Sequence, residues 1–393
     1  MEKSAINGKP IVKCSNRVSE VSEYYFSQKL REVEIMRESG VNIINLGIGN
    51  PDLPPSHSAI KVLESCACNT NNHGYQSYSG LKELREAFSA WYKSYFDTHL
   101  DPNNEILPLM GSKEGIMHIS MAFVNPGEQV LVPDPGYPAY SAITRLIGGE
   151  VIKYNLTPEN NWYPNLSQLQ TIDLSKVKLM WINYPNMPTG QRASREVYEQ
   201  LISFGQKNNI LICSDNPYSF ILNQDHISIL SIPGASSVAL ELNSISKSHN
   251  MSGWRIGMVA GHKEYIKEIM KAKSNIDSGM FKPVQMAAAH ALTLGDEWYR
   301  YINQEYTKRR SIAEELLYVL DCSFNLEQAG MFLWAKVPDC YQNGQDMANL
   351  LLYKKHILVT PGITFGEQGS NYIRVSLCAN ENLLEEALKR VKS

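Results

Sequence analysis

Ser244-Ile-Ser-Lys-Ser-His-Asn-Met-Ser-Gly-Trp-Arg-Ile-Gly257 holds one lysine, Lys247, among small and polar residues, with Arg255 eight positions on. A site that needs one reactive amine beside one anion clamp would use these residue types. A lone lysine is ordinarily a solvated surface charge, so the surroundings decide. Apolar runs lie on both sides: V-A-L-E-L (238–242) before and I-G-M-V-A-G (256–261) after.

Upstream the same pattern repeats. I-L-P-L-M (106–110) meets Gly111-Ser112-Lys113 and a helical stretch through Phe123. V-L-V-P (130–133) leads into D-P-G-Y-P-A-Y and another helical stretch. L-M-W-I-N-Y (179–184) and I-L-I-C-S-D (210–215) continue the series. Short β-rich runs separated by helices predict an α/β fold with a mostly parallel sheet sandwiched by helices. In such sheets the ligand sits at the carboxyl ends of the strands, which is where the chemistry-bearing residues fall. Ser112 and Lys113 open a helix whose free N–H groups suit an anion. Asp215 ends an apolar run, where a carboxylate needs a cationic partner.

This set, in this order, resembles the class I/II aminotransferases, which carry pyridoxal 5′-phosphate on the type I fold. Ser244-x-Ser246-Lys247 with Arg255, and Asp215-x-x-Tyr218 upstream, match the family's cofactor segment. H-G-Y-Q-S-Y-S-G-L-K-E-L-R-E-A (73–87) resembles its Tyr-x-x-x-x-Gly-x-x-x-Leu-Arg-x-Ala, and P-G-I-T-F-G (361–366) also matches. The resemblance runs from Gly47 to Arg374. It implies that Lys247 binds the cofactor aldehyde and is the catalytic acid–base. It makes Ser112, Lys113, Ser244 and Arg255 phosphate ligands, Tyr137 the ring's stacking partner, Asp215 the partner of the pyridine nitrogen and Tyr218 a donor to the ring oxygen O3′. Arg374, inside Y-I-R-V-S-L (372–377), would take the substrate α-carboxylate with its planar fork, near Ile48 and Gly49. Tyr75 would reach the cofactor phosphate of a second copy, which implies a homodimer.

One position departs from the pattern. In N-Y-P-N-M-P-T-G (183–190) the residue before Pro188 is Met187, where the family has a hydrogen-bonding Asn. A thioether cannot donate. Asn186 or Asn183 is the substitute the sequence offers, with Tyr218 acting alone as the other reading. With a donor lost, O3′ should be more basic. The implied reaction moves an amino group from an L-amino acid to a 2-oxoacid, by a ping-pong exchange through pyridoxamine phosphate. A β-C–S lyase or an oxidase on the same fold is the alternative, since fold does not fix reaction. The segment S-N-I-D-S-G-M-F-K (274–282) has Lys282 but no arginine for a distal carboxylate, which favours a neutral or amine-bearing side chain.

Other readings are weaker. Gly47-x-Gly49 lacks a third glycine, and prolines at 51, 54 and 55 forbid the helix a dinucleotide site needs. Ser244-x-x-Lys247 and Ser214-Asp215-Asn216 spell two β-lactamase motifs, in the wrong order and without the third. A transcription regulator would need a basic N-terminal module, which the roughly 45 residues before the first core strand do not supply.

The organisation expected is an N-terminal arm (1–46) joining the small domain, a large cofactor domain (47–291) and a smaller α+β domain (292–393). A helix is expected over 17–39, others over 262–275, 283–294 and 297–320, and a closing one over 380–392. Strands are expected at 331–337, 356–360 and 372–377. The net charge of −3 argues against nucleic acid. No apolar run has membrane-spanning length, and the seven cysteines show no zinc-ligand spacing. A cytoplasmic enzyme without a metal is expected.

Overall fold

The computed structural model describes residues 11–393. After a helix at Tyr25–Glu38, the two-residue strand β1 (Ile44–Asn45) leads into the turn that carries Gly47 and Gly49. Seven strands form the main sheet: β2 (Ile106–Leu109), β3 (Gln129–Asp134), β4 (Glu150–Asn155), β5 (Val177–Ile182), β6 (Leu211–Asp215), β7 (Ala239–Ser244) and β8 (Gly257–Gly261). Their order is β2-β8-β7-β6-β5-β3-β4. All run parallel except β8, which is antiparallel to both neighbours. β5, β6 and β7 are buried almost throughout because helices cover both faces, as their continuous apolar runs predict.

The reversal of β8 has a consequence for the site. Its first residue lies at the same sheet edge as the carboxyl ends of the other strands. Arg255, two residues before β8, is therefore delivered beside residues that follow β2, β3, β5, β6 and β7. The long helix Gly295–Val319 then runs to a second, four-stranded sheet. β9 (Ser323–Phe324), β10 (Phe332–Lys336), β12 (Thr360–Pro361) and β13 (Tyr372–Ser376) form it in the order β12-β13-β10-β9, all antiparallel. β11 (Ile357–Leu358) pairs in parallel with β1. Asp52, just past the glycine turn, is held bidentately by the buried Arg309 of the long helix at 2.6 and 3.0 Å. Among the described residues no helix is long and apolar enough to cross a membrane.

Two local expectations are corrected, and one strand was not foreseen. The helix expected over 17–39 is broken into Asn16–Ser19 and Tyr25–Glu38, because Tyr24 and Phe26 turn into the cavity described below. The strand expected at 356–360 divides after Leu358, one part pairing with β1 and the other with β13. β4 escapes the sequence pattern because it is the sheet edge, with Glu150, Lys153 and Asn155 polar and most positions open to solvent.

Candidate active site

A cavity of about 280 Å³ opens where the main sheet's carboxyl edge meets the small sheet. Lys247, on the short helix Ile245–Ser248 that follows β7, projects into it. Its Nζ donates to the Gly49 carbonyl at 2.5 Å. Burial pushes its amine below the ordinary lysine range, with Arg374 and Arg255 adding to the effect. A buried amine that holds its proton less tightly is more available as a nucleophile and a proton acceptor.

Asp215 ends β6 and is 5% exposed. Its Oδ2 accepts the Tyr140 hydroxyl at 2.8 Å, while Oδ1 has no partner. Burial raises its carboxyl to about 7, with Glu241 adding to the shift and Tyr140 opposing it. An unpartnered buried carboxylate oxygen calls for a protonated nitrogen. Tyr218 and Tyr137 line the same space, and burial raises both phenols, so both stay protonated donors.

The anion cup forms at the start of helix Ser112–Phe123. Gly111 precedes it at φ +85°, and a Cβ there would overlap the Arg255 guanidinium. Arg255 itself adopts φ +58° and donates from Nη1 to the Ser252 carbonyl at 2.9 Å. Burial, then Arg255, pushes the Lys113 amine down. Ser244 caps its short helix and donates to the Ile256 carbonyl at 3.1 Å. Two cations, two hydroxyls and a helix N-terminus therefore face one spot with no carboxylate among them. With Lys247 and the orphaned Asp215 oxygen, these residues fit pyridoxal phosphate.

Arg374 enters from β13 and is 3% exposed. Its Nη2 donates to the Gly47 carbonyl at 2.7 Å and its Nη1 to the Met187 sulfur at 3.2 Å, while Nε is unpartnered. Phe332, Phe365 and Phe26 surround it with ring centroids 3.9, 4.7 and 5.4 Å away. Burial lowers its guanidinium to about 10, so it remains charged at neutral pH. The small sheet also grips the glycine turn, through Thr360 Oγ1 to the Gly47 carbonyl and Ser376 Oγ to the Ile48 carbonyl, both at 2.8 Å. Ile48 and Gly49 thus lie beside Arg374 and Lys247.

The structure brings Ile48, Gly49, Ser112, Lys113, Tyr137, Asp215, Tyr218, Ser244, Lys247, Arg255 and Arg374 to one cavity. It does not bring Asn186. That side chain is buried in its own loop, donating to the Asn183 carbonyl at 3.1 Å and accepting from Thr189 Oγ1 at 2.7 Å. Asn183 is on the wall instead, and it ties two site elements together. Its Nδ2 donates to the Asp215 carbonyl at 2.5 Å and its Oδ1 accepts from Met187 N at 2.7 Å. Tyr75 is 92% exposed and lies outside its own chain's cavity, as does Lys282. Sequence reasoning missed Tyr24, whose ring sits 4.7 Å from the Lys113 ammonium, and Phe26 over Arg374. The run Tyr24-Tyr25-Phe26 was the available signal, but Tyr25 alone fitted the helical spacing and drew the segment into a helix.

The family model for aminotransferase class I and II matches residues 41–391. An LL-diaminopimelate aminotransferase of Aquifex aeolicus (strain VF5) is 40% identical over 381 residues, spanning 96% of this chain and 98% of the relative. One from Maridesulfovibrio salexigens is 40% identical over 385 residues, spanning 97% and 99%. Among solved structures, substrate-bound BacF from Bacillus subtilis superposes with a TM-score of 0.91 at 30% identity, covering 97% of this chain and 98% of that one.

Proposed function

The chain belongs to the class I and II aminotransferases, and from that premise we propose that its amino donor is LL-diaminopimelate. The reaction itself follows from the family: an amino group passes from an amino acid to a 2-oxoacid, with pyridoxal phosphate as cofactor. The donor assignment is supported by the name shared by relatives that match nearly end to end. The observation that carries the site assignment is the pairing of Lys247 with a buried, anion-free Arg374 across one cavity that also holds the orphaned Asp215 oxygen.

The roles follow from the chemistry of each side chain. When bound, pyridoxal phosphate supplies an electron sink for the substrate's Cα–H bond. The Lys247 amine, which burial makes hold its own proton less tightly, would take the proton from Cα and return it in the course of the exchange. Asp215, whose ionisation burial disfavours unless a cation faces it, would keep a proton on the pyridine nitrogen. Arg374 fixes the α-carboxylate, with Ile48 and Gly49 beside it. Ser112, Lys113, Ser244 and Arg255 would hold the phosphate, Tyr137 would cover the ring and Tyr218 would donate to the ring oxygen. Phe26 covers the Arg374 end of the cavity and Tyr24 the Lys113 end. The division we favour is an arm over 1–46, of which residues 1–10 lie outside the described residues, a cofactor domain over 47–291 and a small domain over 292–393. Two copies pair in the cytoplasm, each lending its exposed Tyr75 to the other's phosphate cup.

The test is a comparison of kcat/KM for LL-diaminopimelate, its meso isomer, aspartate, alanine, lysine and an aromatic amino acid with one 2-oxoacid acceptor. LL-diaminopimelate should lead by at least about tenfold, the discrimination that one or two added polar contacts provide. A neutral or aromatic donor in first place overturns the substrate. Ordinary turnover by Lys247→Ala overturns the catalytic assignment.

A further inference from the structure

Met187 is the one large-domain side chain that hydrogen-bonds the Arg374 fork among the described residues. It is 6% exposed and lines the cavity. Its backbone is fixed by Asn183, which is itself fixed to the end of the strand carrying Asp215. The chain Asp215–Asn183–Met187–Arg374 thus runs from the nitrogen end of the cofactor cavity to its carboxylate end. No other residue on this path hydrogen-bonds Nη1.

We propose that Met187 is a positioning residue that acts as a displaceable placeholder, its thioether occupying Arg374 Nη1 until a substrate carboxylate takes that hydrogen. The inference rests on the reading of Arg374 as the carboxylate clamp. A buried guanidinium with no acceptor at all is costly, and one paired with a protein carboxylate would have to break an ion pair before binding substrate. A thioether falls between these cases. It is a weak acceptor, polarisable enough to sit against a cation, and it donates nothing in return. The three phenyl rings keep the cation oriented without competing for its N–H groups. The clamp is therefore preorganised and held loosely at the atom the substrate needs.

Carboxylate affinity should rank inversely with the acceptor strength of the side chain at 187. The probe is pimelate, which carries carboxylates and no amine, titrated into cofactor-free protein by calorimetry. Met187→Leu frees Nη1 and should bind pimelate about threefold tighter than the parent, while Met187→Asn should bind roughly tenfold weaker because an amide oxygen competes for Nη1. The cofactor-loaded protein gives a second readout that simple repacking would not move. The pH midpoint of its visible absorbance should fall in Met187→Asn, whose amide can donate to the ring oxygen, and stay put in Met187→Leu. A ¹³C-labelled Met187 methyl resonance, assigned by its loss in Met187→Leu, should shift on saturation with pimelate. Equal pimelate affinity for all three side chains, a weakened Leu variant, or no saturable binding by the parent overturns the placeholder. Arg374→Ala separates the two readings: if it binds pimelate as the parent does, the clamp itself is wrong. If only Arg374→Ala loses binding, Met187 alone is misassigned.

Discussion

Replacing Asp215 by Asn should change the stability of the cofactor-free protein in a way that depends on pH. In the folded chain burial lifts the Asp215 carboxyl from 3.8 to about 7. A raised folded value means the folded state binds the proton more tightly than the unfolded state. The contribution is fully favourable below about pH 4 and is lost as pH rises through about 7. At about 1.4 kcal/mol per pH unit the loss reaches roughly 4 kcal/mol by pH 8. Asn has no such proton. It does bury an amide N–H₂ where Oδ1 now lacks a partner, a pH-independent cost of about 1–3 kcal/mol. The stability of Asp215→Asn relative to the parent should therefore rise by roughly 4 kcal/mol between pH 4 and pH 8, and change sign on the way. In a chain of 393 residues that is about 5 °C in Tm. The assay is urea and thermal unfolding of both cofactor-free proteins at matched concentration across that range. A difference that stays flat with pH would refute the claim that Asp215 is a buried carboxylate awaiting a cation.

Three further outcomes follow from the geometry. Lys273 is 1% exposed, and its ammonium bonds Asp277 at 2.8 Å and the Tyr78 carbonyl at 2.9 Å. Lys273→Met should cost about 3–5 kcal/mol in urea unfolding by stranding Asp277, and Lys273→Met with Asp277→Asn should recover most of it. A single-variant cost near zero would contradict the buried pair. Gly111→Ala should displace Arg255 and raise the dissociation constant for pyridoxal phosphate about 10–100-fold in a fluorescence titration; unchanged affinity would remove Gly111 and Arg255 from the phosphate cup. Co-refolding Lys247→Ala with Tyr75→Ala should restore about a quarter of parental activity, because half of randomly assorted dimers carry one intact site out of two. No recovery would place Tyr75 outside the partner's site.

Much of this site was legible because the main sheet writes itself in apolar runs. Once I-L-I-C-S-D and its neighbours are strands, Asp215, Asn183, Ser112 and Tyr137 must fall at one edge. Arg374 was legible as a charge inside the apolar strand Tyr372–Ser376, a placement that demands a partner. What stayed hidden depends on contacts distant in sequence. Tyr24 and Phe26 flank Tyr25, the residue that fits the helical spacing, and only the fold brings Phe26 over Arg374. Lys273 has the look of a solvated charge, and the fold buries it against the Tyr78 carbonyl and Asp277. Asn186 and Asn183 offer the same amide three residues apart. Which one faces the cavity is decided by Thr189, whose hydroxyl and N–H both bond the Asn186 oxygen.

The most direct test of the central claim is a half-reaction. Pyridoxal-phosphate-loaded protein is mixed with one amino acid and no acceptor, while the cofactor's visible absorbance and the products are followed. Amino transfer through Lys247 predicts bleaching of that absorbance with one 2-oxoacid formed per active site, no free ammonia, and no bleaching in Lys247→Ala. Oxoacid and ammonia accumulating over many turnovers while the absorbance persists would contradict it and make the enzyme a lyase.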